Sequence, residues 1–164
     1  MVPLRPGSRR FREGAGPALV LALIWASLIA ASSSTVVLRR EWFAWIQAHV
    51  LTDEASLRRF ILFWATCWFA IVKGWHATEF ALLFGLTRAA LDRWSGSRSG
   101  RNVVGAVVIA LLFAISDEYH QTFVPGRGGN VSDVVIDGLG IGVAAALAEW
   151  RRRAPSGKKH PPCG

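Results

Sequence analysis

The feature that most constrains this chain is a run without any charged residue from Pro17 to Leu38. A helix needs about 20 apolar residues to cross a bilayer, so this run predicts a membrane-spanning helix. Arginines precede it, as they do in a signal peptide, but the apolar region of a signal peptide is only about 7–15 residues long. We therefore expect a retained first transmembrane helix.

The distribution of charge indicates the class of protein. The 164 residues include 19 Lys and Arg against 11 Asp and Glu, a formal charge of +8. Most of the basic residues lie at the N-terminus, from Arg88 to Arg101 and after Trp150, so they flank apolar runs and do not form a nucleic-acid-binding stripe. This excludes a disordered chain, a soluble Rossmann-type enzyme and a disulfide scaffold. The two cysteines, Cys67 and Cys163, support neither a disulfide nor a zinc site.

Two further spans are clear in the second half of the chain. The runs from Val103 to Val124 and from Val131 to Trp150 both have the length of a transmembrane helix. Small residues recur in the last run, on faces where another helix can approach closely: Gly138, Gly140, Gly142 and Ala144.

The middle of the chain predicts an interrupted span. Phe60 to Val72 is apolar but short, and one helix from Phe60 to Leu91 would be longer than the hydrocarbon core of about 30 Å. We expect a bend near Lys73-Gly74, with Phe60–Val72 interfacial or re-entrant and Trp75–Leu91 as the second span. The expected fold class is all-α, a polytopic bundle of about four spans plus this short segment.

The domain organisation and orientation follow from the same pattern. Residues 1–16 are a basic arm, residues 17–150 the helical domain, and residues 151–164 a basic, disordered tail. Lys and Arg are enriched in cytoplasmic loops, so we expect both termini and the Arg88–Arg101 loop to be cytoplasmic. A fifth crossing by Phe60–Val72 would reverse the N-terminus. Tryptophans near the expected span ends suit the headgroup level: Trp42, Trp45, Trp75, Trp94 and Trp150.

Ionisable residues inside the spans are the main functional signal, because each charge at a helix centre costs roughly 2.5–3.5 kcal/mol on insertion scales. Ten polar residues fall at one expected membrane level, where the second and fourth spans begin and the third ends. They are Lys73, His76, Glu79, Asp117, Glu118, His120, Gln121, Arg127, Asp133 and Asp137. Spacings of three and four place members of each group on one helix face. We expect them to line an outward-facing polar cavity.

The net charge of these ten residues limits the kinds of ligand that they can bind. Five carboxylates face two fixed cations, a formal charge of −3 with neutral histidines. Carboxylates in such a place must take up protons or hold a cation or a basic ligand. Three functions stay open: a divalent-metal site, a proton-coupled site, and a headgroup-binding cavity in which Lys73 and Arg127 hold an anion. The structural alternative is a set of interfacial ion pairs, with Pro-Gly-Arg as a plain turn.

Three short motifs carry a family resemblance. Lys73 to Phe80 has the pattern K-x-x-H-x-x-E-F, Asp117 to Arg127 has D-E-x-H-Q-x-F-V-P-G-R, and Asp133 to Gly140 has D-x-x-x-D-G-x-G. Together they resemble the VanZ-like family, bacterial membrane proteins named for a protein linked to teicoplanin resistance. The resemblance covers about residues 72–146, and the stretch before Lys73 has no counterpart in it.

The resemblance implies a multi-pass protein of the bacterial cell envelope whose candidate functional positions are the ten polar residues. The leading hypothesis is a non-catalytic or weakly catalytic protein that binds a lipid-linked or glycopeptide-like ligand in the outward-facing cavity. Membrane lipids are its expected partners, and neither nucleic acid nor a cofactor is expected. The alternatives are a metal- or proton-dependent intramembrane enzyme acting on a lipid phosphate or lipid-linked sugar, and a structural subunit of a membrane complex.

Overall fold

The computed structural model describes residues 14–36 and 39–154. These residues form five helices and no strand: α1 (Ala15–Ser33), α2 (Arg39–His49), α3 (Glu54–Ser95), α4 (Gly100–Gln121) and α5 (Val131–Arg153). Four of them, α1, α3, α4 and α5, are long and apolar enough to cross a membrane. The predicted all-α bundle with four candidate spans is thus confirmed. Most of the predicted basic arm and tail, including Cys163, lies outside the described residues.

The core of the bundle is built around α3, which packs against α1, α4 and α5. Phe80 and Phe84 of α3 are buried, and the facing side of α4 has Ala106, Ala110 and Ala114 fully buried at four-residue spacing. Small residues let helix backbones approach closely, which matters because lipid supplies no hydrophobic force between helices. The large apolar side chains of the four spans are largely exposed on the outside of the bundle, as expected for surfaces that face lipid.

Gly140 is a point of very close approach between α3 and α5. A Cβ atom at Gly140 would collide with the backbone carbonyl of Ala77, so only glycine fits there. This confirms one of the predicted small-residue contacts, and Ala144 also packs against the core. Gly142, in contrast, has no atom within 4 Å of its Cβ position. The Gly140 contact brings the polar segment of α3 next to the first turns of α5.

The third helix runs without a break through Lys73-Gly74, where the sequence predicted a bend. It contains 42 residues, about 63 Å at 1.5 Å per residue. The prediction that Phe60–Val72 forms a segment separate from the second span is therefore wrong. Glycine in a helix interior costs only about 1 kcal/mol relative to alanine, and no atom lies within 4 Å of the Cβ position of Gly74. Nothing at this position forces the helix to end.

The continuous helix extends beyond the rest of the bundle. Lys73 lies level with the first turn of α5, so residues 54–72 extend about 29 Å past it. Trp42 of α2 packs against this extension, with ring centroids 5.5 Å from Phe60 and 4.7 Å from Trp64. Trp42 is therefore part of an aromatic cluster, whereas Trp94 and Trp150 are exposed as membrane anchors would be.

Side-chain caps define where three of the long helices begin. The Asp53 carboxylate accepts a hydrogen bond of 2.8 Å from the backbone N–H of Ser56, and this bond lowers the pKa of the Asp53 carboxyl. Ser99 and Asn130 cap α4 and α5 in the same way. At its other end α5 continues to Arg153, so the first residues of the predicted tail are helical.

Candidate functional site

All ten polar residues predicted from the sequence lie at one end of the bundle, on the middle of α3, the end of α4, the start of α5 and the loop between α4 and α5. Ser33, the last residue of α1, joins them, and we call these eleven residues the polar cluster. Eight polar side chains are buried in the described chain, and six belong to the cluster: Ser33, Glu79, Asp117, Glu118, Gln121 and Asp137. Burial of polar groups is costly without partners, so the partners of each carboxylate decide what the cluster can do.

Asp117 is held by donors from two helices. Its Oδ2 atom accepts a hydrogen bond of 2.7 Å from the Ser33 hydroxyl and one of 2.9 Å from the Gln121 amide. The first bond joins the end of α1 to the end of α4, and the second lies within one turn of α4. Asp117 is therefore a structural link between helices.

Glu118 is held by the loop that follows α4. Its Oε2 atom accepts a hydrogen bond of 2.8 Å from the backbone N–H of Asn130, and Oε1 lies 3.4 Å from the Gln121 amide nitrogen. The loop passes very close to α4, because a Cβ atom at Gly129 would collide with the backbone carbonyl of Glu118. Gly129 thus lets the loop backbone reach a buried carboxylate.

Two pairs of charged or ionisable side chains involve residues of α3. Lys73 Nζ is 2.6 Å from Asp133 Oδ2, and both side chains are about one-fifth exposed, 20% each. This ion pair connects α3 to the first turn of α5. One turn further along α3, His76 Nδ1 is 3.7 Å from Glu79 Oε2. The Glu79 backbone carbonyl also accepts a hydrogen bond of 2.9 Å from the indole of Trp25 in α1.

Arg127 lies in a tight turn and contacts the end of α1. The N–H of Arg127 donates to the carbonyl of Val124 at 3.0 Å, and Gly126 has φ +83°, as a type II turn with Pro125 at its second position requires. The Arg127 guanidinium donates a hydrogen bond of 2.9 Å to the carbonyl of Ser33. Arg127 therefore satisfies a carbonyl at the C-terminus of α1, where a cation is also favourable for the helix dipole.

Asp137 is the carboxylate with the fewest partners. It is only 2% exposed, and its Oδ1 atom has no hydrogen-bond partner among the described residues. Three carboxylates, Glu118, Asp133 and Asp117, and the cation Lys73 are the main charges near it. Asp137 is thus a buried acceptor in a region of excess negative charge.

The two histidines lie at the edges of the polar cluster. His120 is exposed, and its Nε2 atom is 3.1 Å from the Ser34 hydroxyl. His76 is partly buried beside Glu79. Among residues 14–36 and 39–154, no group of three or more His, Cys, Asp or Glu side chains is arranged to hold a metal ion.

Four groups that contact the ten predicted residues are not predicted by the sequence: Trp25, Ser33, Ser34 and the backbone N–H of Asn130. A signal was present for the serines, because three consecutive serines close the first apolar run at Ser32-Ser33-Ser34. No local pattern marks Asn130 as a partner of Glu118, since its contribution is a backbone N–H.

These features define a multi-pass membrane protein of four candidate spans, with a polar cluster at one end of its bundle. The model of the VanZ/LLP1 family matches residues 18–152, and the chain belongs to this family. The match confirms the resemblance seen in the motifs and extends it to the first span. No curated protein and no solved structure matches the chain.

Proposed function

We propose that the polar cluster binds the amine-bearing or hydroxyl-rich group of a lipid-linked or glycopeptide-like ligand. The observation that carries the proposal is Asp137, a buried carboxylate with one oxygen unpartnered among the described residues and three other carboxylates around it. Such an acceptor is stabilised by a ligand that brings a positive charge or hydrogen-bond donors.

Both fixed cations already have partners, which supports a ligand that brings hydrogen-bond donors. Lys73 is paired with Asp133, and Arg127 donates to the end of α1. An anionic ligand group would compete with Asp133 for Lys73, whereas an amine or a hydroxyl could bind with both contacts intact. The ligand chemistry is therefore complementary to carboxylates.

The surroundings of the polar cluster suit a ligand with an apolar part. Tyr119 and Phe123 pack edge to face with their ring centroids 5.1 Å apart, and both are about two-thirds exposed. Val131 is also exposed at the start of α5. These side chains offer an apolar rim for a lipid chain or an aromatic glycopeptide next to the buried acceptors.

The proposed location of the polar cluster is the outer leaflet of the bacterial cytoplasmic membrane. The opposite end of the bundle carries the arginines of the α3–α4 connection and of the end of α5, and such residues favour the cytoplasmic side. Both termini are then cytoplasmic, and the ligand reaches the polar cluster from the cell exterior.

The binding of teicoplanin, a glycopeptide with a lipid chain, tests this proposal. Binding of a fluorescent teicoplanin derivative is measured on the purified full-length protein, for the wild type and for Asp137→Asn and His120→Ala. We expect Asp137→Asn to weaken binding about tenfold, because one charge-assisted hydrogen bond is worth that much. His120→Ala removes an exposed group at the edge of the polar cluster and should weaken binding less.

The matched control is Glu54→Gln, which also removes one negative charge. Glu54 is exposed and lies 3.7 Å from Arg58 on the extension of α3, and such a surface pair contributes little to stability. Its teicoplanin affinity should equal that of the wild type. No binding to the wild type, or equal affinities for wild type and Asp137→Asn, would contradict the proposal.

A further inference from the structure

A second polar site lies at the other end of the bundle, where the last turns of α3 meet the end of α5. A cavity of about 550 Å³ opens there. Its charged lining consists of five arginines and one aspartate: Arg88, Arg93, Arg98, Arg151, Arg152 and Asp92. The charged lining carries a formal +4, opposite in sign to the polar cluster, and we call this cavity the basic pocket.

The basic pocket is separate from the polar cluster. Arg88 follows Lys73 by 15 residues on α3, about 22 Å along a helix axis. The two sites therefore lie at opposite ends of the membrane-spanning bundle, and a ligand of one does not contact the other.

Arg88, in the lining of the basic pocket, has a buried N–H group that lacks a hydrogen-bond acceptor. Its Nε atom is buried and has no hydrogen-bond partner among the described residues. The nearest carboxylate oxygen, Asp92 Oδ2, is 3.6 Å away, and Asp92 Oδ1 already accepts a hydrogen bond of 2.8 Å from Asn102. A buried N–H donor without an acceptor costs free energy, and a bound anion would supply the missing acceptor.

The other arginines are arranged to receive such an anion. Arg152 is held in place by Glu149 through two hydrogen bonds of 2.7 and 2.6 Å. Arg98 and Arg151 form no salt bridge with any described residue, so their charges are available at the rim. Guanidinium groups match the oxygens of phosphate through paired hydrogen bonds.

The position of the basic pocket relative to the membrane indicates which phosphate-bearing molecule would reach it. Trp94 and Trp150 lie at the same end of the bundle and are 70% and 67% exposed. Exposed tryptophans concentrate at the headgroup level of a bilayer, and basic pockets between membrane helices on the cytoplasmic side bind anionic headgroups. We propose that the basic pocket binds the phosphodiester of an anionic phospholipid, whose oxygens accept hydrogen bonds from these arginines.

Native mass spectrometry of the purified full-length protein tests the proposal, with phosphatidylglycerol and phosphatidylcholine as the two probes. We expect phosphatidylglycerol to bind at least tenfold more tightly. Arg98→Gln/Arg151→Gln should remove about tenfold or more of that affinity, because each arginine donates charge-assisted hydrogen bonds. Arg58→Gln/Arg59→Gln, the same change of charge on the exposed extension of α3, should leave the affinity unchanged. Equal affinity of the wild type for the two lipids would overturn the proposal.

A second measurement separates a lipid from free phosphate and does not depend on the rim arginines. Phosphatidylglycerol should raise the melting temperature of the wild type, and Arg88→Gln should reduce this rise while the variant still shows a cooperative transition. Inorganic phosphate at the same concentration should produce no such rise. If inorganic phosphate matches the lipid, or if the rise is unchanged in Arg88→Gln, the assignment of a lipid headgroup is wrong.

Discussion

Adjacent carboxylates in the polar cluster are stabilised by different parts of the chain. Asp117 takes its donors from α1 and from its own helix, whereas Glu118 takes a backbone N–H from the loop before α5. Asp137 lies on α5, and one of its oxygens has no donor among the described residues. Asp117 and Glu118 are therefore engaged with other parts of the chain, and Asp137 is the carboxylate that we propose acts on a ligand.

The bond between Ser33 and Asp117 should contribute measurably to stability. Ser33→Ala leaves a buried carboxylate with one donor fewer, so we expect a loss of about 1–3 kcal/mol in the free energy of unfolding. Ser27→Ala is the matched control, because the exposed Ser27 hydroxyl bonds only to the carbonyl of Leu23 in its own helix. Unfolding of both variants in detergent measures the difference. Equal stability of the two variants would show that the α1–α4 link does not form.

The ion pair between Lys73 and Asp133 should show strong coupling in a double-mutant cycle. Each side chain is 20% exposed, so removing one partner leaves the other partly buried and unpaired. We expect Lys73→Met alone to cost about 2 kcal/mol, and the double variant with Asp133→Asn to cost less than the sum of the single variants. Additive effects in the unfolding measurements would mean that the two side chains do not pair.

At the scale of helices, a long continuous α3 organises the molecule. Its C-terminal half, from Lys73 onward, packs against the other spans, and its N-terminal half carries α2 on an aromatic cluster outside the bundle. The close approach at Gly140 sets how α5 lies against this helix. The polar cluster is therefore positioned by this backbone contact together with the Lys73–Asp133 ion pair.

Two glycines allow a direct test of this arrangement. Gly74→Ala should be neutral or stabilising by up to about 1 kcal/mol, because Gly74 is inside a helix with no atom near its Cβ position. Gly140→Ala should destabilise the protein strongly, because the new Cβ atom would collide with the carbonyl of Ala77. Thermal unfolding measures the change in stability of both variants relative to the wild type. A destabilised Gly74→Ala would favour a bend at that position.

The sequence predicts the spans and the polar cluster because both depend on the free energy of placing single residues in a membrane, which can be estimated position by position. A charge inside an apolar helix is expensive, so residues such as Asp117 and Asp137 stand out without a structure. Ser33 does not, since a serine in a membrane helix costs little and its partner lies 84 positions away. The sequence does not predict the continuity of α3, because the whole segment is longer than a bilayer is thick, while the local free-energy cost of Gly74 in a helix is small.

At the scale of the whole molecule, the charge is divided between two ends. The end with the polar cluster carries the acidic excess, and the other end carries the basic pocket and the arginines that follow the bundle. The net charge of +8 hides this division. The arginines of the basic end have two roles in our proposals, because residues that favour the cytoplasmic side also line a site for lipid phosphate.

The division of charge predicts the accessibility of two loops. In a variant with Cys67→Ala and Cys163→Ala, we introduce a single cysteine by Gly128→Cys or by Ser97→Cys. Gly128 has no atom within 4 Å of its Cβ position, and Ser97 is exposed, so neither change disturbs packing. The two positions are separated by α4, whose 22 residues span about 33 Å.

An impermeant maleimide should label Gly128→Cys in intact cells and Ser97→Cys only after the membrane is opened. The reason is that the arginines from Arg88 to Arg101 hold the α3–α4 connection on the cytoplasmic side. Labelling of both positions in intact cells would contradict the crossing by α4. The reverse pattern would keep the four-span bundle but place the polar cluster inside the cell, which would remove its proposed access to an external ligand.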